Sequence, residues 1–519
     1  MESMNIIELK LFASRVIAIC EEMGLVLRRA AFSPNIKDRL DFSCALFGAD
    51  GQLFAQADHM PVHLGSMAFA MSSVVKEREW QTGDMLVLND PYLGGTHLPD
   101  VTLIAPVFGT EGIGLLGFVV NRAHHANIGC DTPGSMPVSS SLEEEGIIIP
   151  PTLLLRAGNL QPGTELLPGV DNGELIGDFA AQAGANRVGV LRLQQLVENV
   201  GLDTYIHGMQ QLNSYAERIA TNTIGLLKPG LYHFEDYLDD DGCGTTNISL
   251  KVSLNINANR VEVDLSDSAD SVRGNLNCPE SVVAAAAYYC FRCLMSDEAP
   301  ACEGLFHNIN IKTRLGSIVN AQRPAAVAAG NVETSTRIVD LILGALAQAV
   351  PEQIPAASQG TMNNVAMGHV DHSTGKRWDY YETVAGGLGG GPTQAGLSSV
   401  HSHMTNTLNT PIESLEMHYP LRVRRYAIRR SSGGAGRHPG GDGIIREYEF
   451  LQPTRLSLLS ERRSFAPWGL LGGGEGKRGS NLLNGKILPG KCTVDMCVGD
   501  RLTIQSPGGG GWGIPSESE

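Results

Sequence analysis

Two short runs of this chain carry the residue types that a metal ion or an acid–base reaction needs. Asn89-Asp-Pro-Tyr-Leu-Gly-Gly-Thr-His97-Leu-Pro-Asp100 sets an imidazole and a carboxylate three residues apart behind two glycines, and Ala123-His124-His125-Ala-Asn127 offers two more imidazoles. Glycine frees the backbone to turn the side chains of the first run toward one point, and histidine nitrogen with carboxylate oxygen is a donor set for divalent ions. The apolar runs between the two clusters, 101 to 107 and 113 to 120, read as a β-hairpin that carries one cluster back beside the other. Neighbouring strand residues face opposite sides, so only one of His124 and His125 shares a face with the first cluster. The spacing is that of neither a zinc finger nor a zincin.

Other polar groups flank these runs. His59 and His63 are four apart, but Pro61 between them makes a metal-binding helix poor, so they read as pocket or outer-layer residues. Asp90 precedes Pro91 in a turn that it can cap. His401 and His403, two apart as on one face of a strand, form with Asn406, Glu413 and Glu416 a second polar group after the glycines at 386 to 391.

The elements that must position these side chains follow from patterning. Residues 1 to 30 read as a helix, 40 to 60 as strands about the Asp50-Gly51 turn, and a second helix runs to about 79. Strands and loops fill 84 to 150, and long helical periodicity covers 174 to 225. From 229 to 320 alternating runs predict an antiparallel sheet interrupted by an Ala-rich helix at 281 to 295. A helix over 333 to 350 follows, and strands dominate from about 420. The chain is expected to be α+β and multi-domain: 1–228 a metal-site region closed by helices, 229–350 a sheet with the Ala-rich helix, 351–519 a glycine-rich, strand-rich end.

Composition narrows the function. With 519 residues, 42% of them hydrophobic, the chain can bury more than one core. A formal charge of −16 argues against nucleic acid or an anionic membrane as the main partner. Charged residues interrupt the first 24 positions and exclude a signal or membrane span there, which predicts a cytoplasmic protein. Ten scattered cysteines fit reduced buried thiols, and Cys290 with Cys293 reads as part of a core helix. Among 61 glycines, the run Gly472 to Arg478 has Leu471 at the first P-loop glycine and Arg478 where the magnesium ligand belongs. Gly474, Gly476 and Gly479 fit GxGxxG, but no apolar helix follows, so no nucleotide site is legible.

Several motifs in one order resemble the hydantoinase B/oxoprolinase family: Asp38-Arg-Leu-Asp41-Phe-Ser-Cys, His59-Met-Pro-Val-His63-Leu-Gly-Ser-Met, Asn89 to Asp100, His124-His125 with Pro133-Gly-Ser-Met-Pro, Glu144-Glu145-Gly146, 320 to 327, Gly386-Gly387, and Ser431-Ser-Gly-Gly-Ala-Gly-Arg. The likeness spans nearly the whole chain. It implies the B-type or β subunit of an ATP-dependent cyclic-amide hydrolase opening a hydantoin, 5-oxoproline or a lactam, an EC 3.5.2-type activity. ATP would be bound by a hydantoinase A-type subunit in an (αβ)2 hetero-oligomer. On that resemblance Asp41, His97, Asp100 and His124 form the metal-ligating and catalytic set, with His124 preferred to His125. His125, His59, His63 and Asp90 are outer candidates. Zinc is the first expectation, with manganese, cobalt or iron compatible with the same donors. Such an ion lowers the pKa of water from ~15.7 toward ~7. The alternatives are a subunit of an ATP-dependent ketone carboxylase, for which bicarbonate would be a cosubstrate, and a non-catalytic scaffold for the ATPase subunit.

Overall fold

The first buried stripe of the chain, Phe12, Val16, Ile19, Cys20, Met23 and Leu27, recurs at three- and four-residue spacing and forms one face of helix α1 (Ile6–Ala30). The structure is a computed structural model that describes residues 4–515 apart from Asp58, Glu77, Glu111, Leu166, His372, Thr374 and Gly375. Asn5 opens α1 with a capping box, accepting from the amides of Ile7 and Glu8 while the Glu8 carboxylate accepts from the Asn5 amide. This satisfies amides that no helical carbonyl reaches. The short α2 (Pro34–Lys37) then turns the chain into β1 (Phe42–Gly48) and β2 (Leu53–Gln56). Helix α3 (Ser66–Val74) ends before the expected 79, where the Trp80 indole donates to the Val75 carbonyl at 3.3 Å.

Strands β3 (Met85–Leu88), β4 (Asp100–Phe108), β5 (Leu115–His124), β6 (Thr152–Arg156) and β7 (Asn159–Leu160) complete a seven-stranded antiparallel sheet in the order β2-β1-β5-β4-β3-β6-β7. The β4–β5 hairpin expected from the sequence is present, and its register sets Asp100 directly opposite His124 at the open end. A two-residue ladder, β8 (Val170–Asp171) with β9 (Glu174–Leu175), precedes the long helices α4 (Gly177–Val200) and α5 (Leu202–Gly225). Two buried amides fix α4 to the hairpin: Gln182 Nε2 donates to the Val101 carbonyl at 2.9 Å, and Asn186 Nδ2 to the Leu103 carbonyl at 3.1 Å.

Strands β10 (Gly230–Asp240), β11 (Thr246–Ile256) and β12 (Val261–Asp264) pair antiparallel as anticipated. The last strand, β13 (Ile309–Lys312), instead lies parallel to β12. The Ala-rich helix α6 (Glu280–Arg292) is the crossover between them, and a helical crossover returns the chain in the same direction. A five-residue π-helical turn, Gly330–Thr334, leads into α7 (Ser335–Ala349). All ten thiols are free.

Beyond α7, strands Asn364–Val370, Arg377–Thr383, Thr454–Leu459 and Lys491–Met496 form one sheet, and Leu421–Arg429, Gly443–Phe450, Arg501–Gln505, Ser480–Leu483 and Lys486–Leu488 another. Their shared core contains Val365, Met367, Tyr380, Ile444, Tyr448, Leu456 and Ile504. The glycine clusters mesh through main chain alone. Gly434 donates to Gly509, Gly390 to Gly510, Gly441 to Leu388 and Gly511 to Gly474, each at 2.8 Å. In the P-loop-like run the amides of Gly474 and Gly476 are taken by the carbonyls of Ala435 and Pro467, so no cradle for phosphate exists there. The whole is a mixed α+β, multi-sheet fold. No helix among the described residues is long and apolar enough to cross a membrane.

Candidate metal centre

The hairpin register and the glycine loop bring His97, Asp100 and His124 into one buried group whose donor atoms lie within 4.8 Å of one another. Gly94 permits the loop, holding φ +99° with Ala70 so near that a Cβ would fall 2.4 Å from its Cα. Both His97 Nε2 and His124 Nδ1 stand 3.2 Å from Asp100 Oδ1. On the other carboxylate oxygen, the Thr96 hydroxyl donates at 2.6 Å, and His63 Nε2 and Asn331 Nδ2 each lie at 3.4 Å.

The arrangement calls for positive charge between these groups. His97 Nδ1 donates to the Ala328 carbonyl at 3.2 Å, so a neutral His97 turns the lone pair of Nε2 toward a carboxylate that can only accept. His97 Nε2 and His124 Nε2 are buried without a hydrogen-bond partner. Burial opposes an imidazolium at His97, yet the Asp100 carboxylate outweighs it and raises the pKa. Burial likewise works against the Asp100 anion, but His97 and the neighbouring rings hold its carboxyl well below the usual range. Two imidazoles and a carboxylate with orphaned nitrogens fit a divalent ion of the zinc type.

The remaining sequence candidates divide by position. Asp41 borders the trio: its carbonyl accepts from the His124 amide at 3.0 Å, and its charge helps to raise His97, but its carboxylate is not one of the three clustered donors. His63 touches Asp100 and is held by Ser43 Oγ at 2.9 Å. His125 faces the other way, donating from Nε2 to Gln182 Oε1 at 2.8 Å and resting edge-on against Phe179. His59 packs on Phe42 and accepts from the Cys44 amide through Nδ1, and burial holds its pKa at about 4. Asp90 caps the turn at Tyr92 and pairs with Arg323. His401 and His403 lie in a loop, not on a strand. Burial, with Arg39 nearby, lowers His401 to about 3, while His403 sits 3.4 Å from Asp340. The second polar group therefore holds no shared donor point with the trio. Glu416 accepts from the Val423 amide, and Glu413 lies in the first turn of a short helix, Ile412–His418.

Residues far along the chain complete the centre. Glu145 Oε1 accepts from the amides of Val327 and Ala328, each at 2.9 Å, fixing the loop whose carbonyl orients His97. The Tyr381 ring stacks on His124 at 4.9 Å with 12° between planes, and its hydroxyl donates to Asn364 Oδ1 at 2.7 Å. Asn364 Nδ2 in turn donates to Glu333 Oε1 at 2.6 Å. Sequence reading passed over this chain of contacts. Its one signal was the pair Asn331 and Glu333 inside an apolar segment, where a buried carboxylate needs a reason.

That carboxylate makes stability depend on pH. Burial pushes Glu333 up from 4.5 to about 7, against hydrogen bonds from Thr361 and Met362. The folded chain keeps a proton there that the unfolded chain releases above 4.5. This contribution is therefore full below that pH and is lost as pH rises toward 7, a decline of roughly 3 kcal/mol. Glu333→Gln, which resembles the protonated form, should flatten the decline in denaturant titrations from pH 4.5 to 7. An unchanged slope would remove Glu333 as its source.

A large apolar cavity of about 470 Å³, lined by Phe54, Leu115, Leu116 and Tyr205, sits at the other end of β1 and β5 and touches none of the trio. The centre itself is closed: His97, Asp100 and His124 are at most 2% exposed. Over 99% of its length the chain superposes on the ATP-dependent caprolactamase of Pseudomonas jessenii with a TM-score of 0.90 and 25% identity, matching 92% of that chain. A nucleotide-free acetone carboxylase shares the fold at a TM-score of 0.87 and 16% identity, over 99% of this chain and 76% of that one. 5-Oxoprolinase 1 of Arabidopsis thaliana is 40% identical over 98% of the chain, which spans only 42% of that protein. Residues 5–515 match the family model for hydantoinase B/oxoprolinase, and the chain belongs to that family.

Proposed function

We propose that this chain is the metal-binding subunit of an ATP-dependent cyclic-amide hydrolase, acting on a ring activated by ATP on a separate A-type subunit. The observation that carries the reading is the buried trio His97, Asp100 and His124 with its unpartnered imidazole nitrogens. It is supported by the likeness to a caprolactamase along 92% of that chain. His97, Asp100 and His124 would hold the ion, with Asp41 at its border. A divalent ion there supplies Lewis acidity toward an oxygen of the ring or of water. The protein's own part is orientation. Ala328 fixes which His97 nitrogen faces the centre, Tyr381 and Asn364 fix the His124 ring, and burial excludes bulk water, strengthening every charge interaction within.

The test is ATP consumption by this chain purified with its A-type partner, against hydantoins, 5-oxoproline, larger lactams and small ketones, with and without bicarbonate. Elemental analysis accompanies it. Stimulation by a cyclic amide with one divalent ion per chain is the expected result. Stimulation only by a ketone with bicarbonate would replace the reading with a carboxylase, and neither metal nor stimulation would leave a scaffold.

A further inference from the structure

Helix α1 is apolar on two faces. One packs on the core; on the far side Ile7, Leu11 and Leu25 are each more than half exposed, and so is Phe32 just past the end of the helix. Ala18 is exposed between them. Leu11, Ala18, Leu25 and Phe32 fall seven residues apart, a spacing that keeps them on one stripe along a helix of 25 residues, about 37 Å. Phe32 is no loose end, since its amide and that of Ser33 both donate to Asp178 Oδ1, at 2.8 and 3.1 Å. Scattered exposed apolar residues are ordinary on a surface, whereas a fixed row of them marks a contact.

A second row says what covers it. Glu8, Arg15, Glu22 and Arg29 follow at the same seven-residue spacing along one flank of the stripe, with charges that alternate in sign. We propose that α1 is the seam between two copies of this chain, the two α1 helices lying antiparallel about a two-fold axis at Ala18. The two Ala18 residues then meet, and Leu11 of each copy faces Leu25 of the other, both being seven residues from the axis. In such a pair like flank faces like flank. Arg15, three residues before Ala18, comes level with Glu22 of the second copy, four after it; Glu8, ten before, comes level with Arg29, eleven after. Each contact occurs twice and joins opposite charges. Within the chain Glu22 holds Arg192 at 2.8 Å, while Arg15 and Arg29 have no ion pair among the described residues. On the other flank Ser14 meets Glu21, and Lys10, which approaches Arg28, is neutralised by Glu298 at 3.0 Å. A parallel pair would instead set Glu21 beside Glu22 and Arg28 beside Arg29, so the charges choose the antiparallel direction.

Sedimentation velocity on the full chain tests the seam. Wild type is expected to pair, and Leu25→Glu to leave single, folded copies, as far-ultraviolet circular dichroism would verify. Arg15→Glu and Glu22→Arg, each alone, set like charges against one another across the axis and should weaken pairing at least about tenfold. Mixed in equal amounts, the two variants should pair again, because each supplies the charge that the other lacks. A merely local disturbance of the helix would not be repaired by mixing. Single copies of the wild type, pairing that survives Leu25→Glu, or a mixture that restores nothing would overturn the proposal. So would loss of the ATPase subunit on Leu25→Glu, which would give this face to that subunit.

Discussion

Replacing Asp100 with alanine should strip the centre of its ion, lower ATP-coupled turnover at least about 10³-fold, and destabilise the fold by about 3–5 kcal/mol. Five side chains meet this carboxylate: His97 and His124 at 3.2 Å, Thr96 at 2.6 Å, and His63 and Asn331 at 3.4 Å. Its removal leaves three buried imidazoles, a hydroxyl and an amide facing an empty gap, so the loss exceeds that of an ordinary surface acid. Asp100→Asn separates the two effects. It keeps the shape and loses the charge, so metal and turnover should go while much of the stability remains. Elemental analysis and thermal melting read the pair. An alanine variant that keeps its metal and its activity would refute the assignment of the centre.

The second large effect lies far from that chemistry. Gly509→Ala would place a Cβ 2.0 Å from the Leu388 carbonyl oxygen and 2.6 Å from the Gly389 amide nitrogen. Both are main-chain atoms, and the Leu388 carbonyl is held by the Gly441 amide, so no side chain can swing aside. A cost of at least about 4 kcal/mol is expected, among the largest for adding one methyl group. Gly184→Ala is the control. Its Cβ meets nothing within 4 Å, it lies inside α4, and the change should stabilise by about 0.5–1 kcal/mol. Denaturant unfolding of both variants decides the point. A neutral Gly509→Ala would show that the glycine mesh yields where it looks rigid.

How much of this was legible in the sequence depends on the range of the contact. The hairpin was, because its two strands are neighbours in the chain and their apolar runs bracket a turn; its register then places Asp100 against His124 and turns His125 toward α4. The helices were legible for the same local reason. The parallel pairing of β13 was not, since alternation marks a strand and says nothing of its direction. His401 and His403 look like strand neighbours by spacing, yet His403 adopts φ +55° in a loop. Ala328, Asn331, Glu333, Asn364 and Tyr381 escaped altogether. They approach the centre from more than 200 positions away, and a backbone carbonyl such as that of Ala328 leaves no mark in residue type at all. The glycines announced close approaches but not which strands of main chain would meet.

The distance along the chain between the hairpin and the π-helical turn has a consequence for how the protein is made. His124 leaves the ribosome 204 residues before Ala328, counting from 124 to 328, and Asp100 earlier still. At usual elongation rates that is about 10–40 s during which the hairpin exists without the carbonyl that orients His97, and the ring that backs His124 comes later still. The arrangement around His97 and His124 is complete only when the last third of the chain has been made.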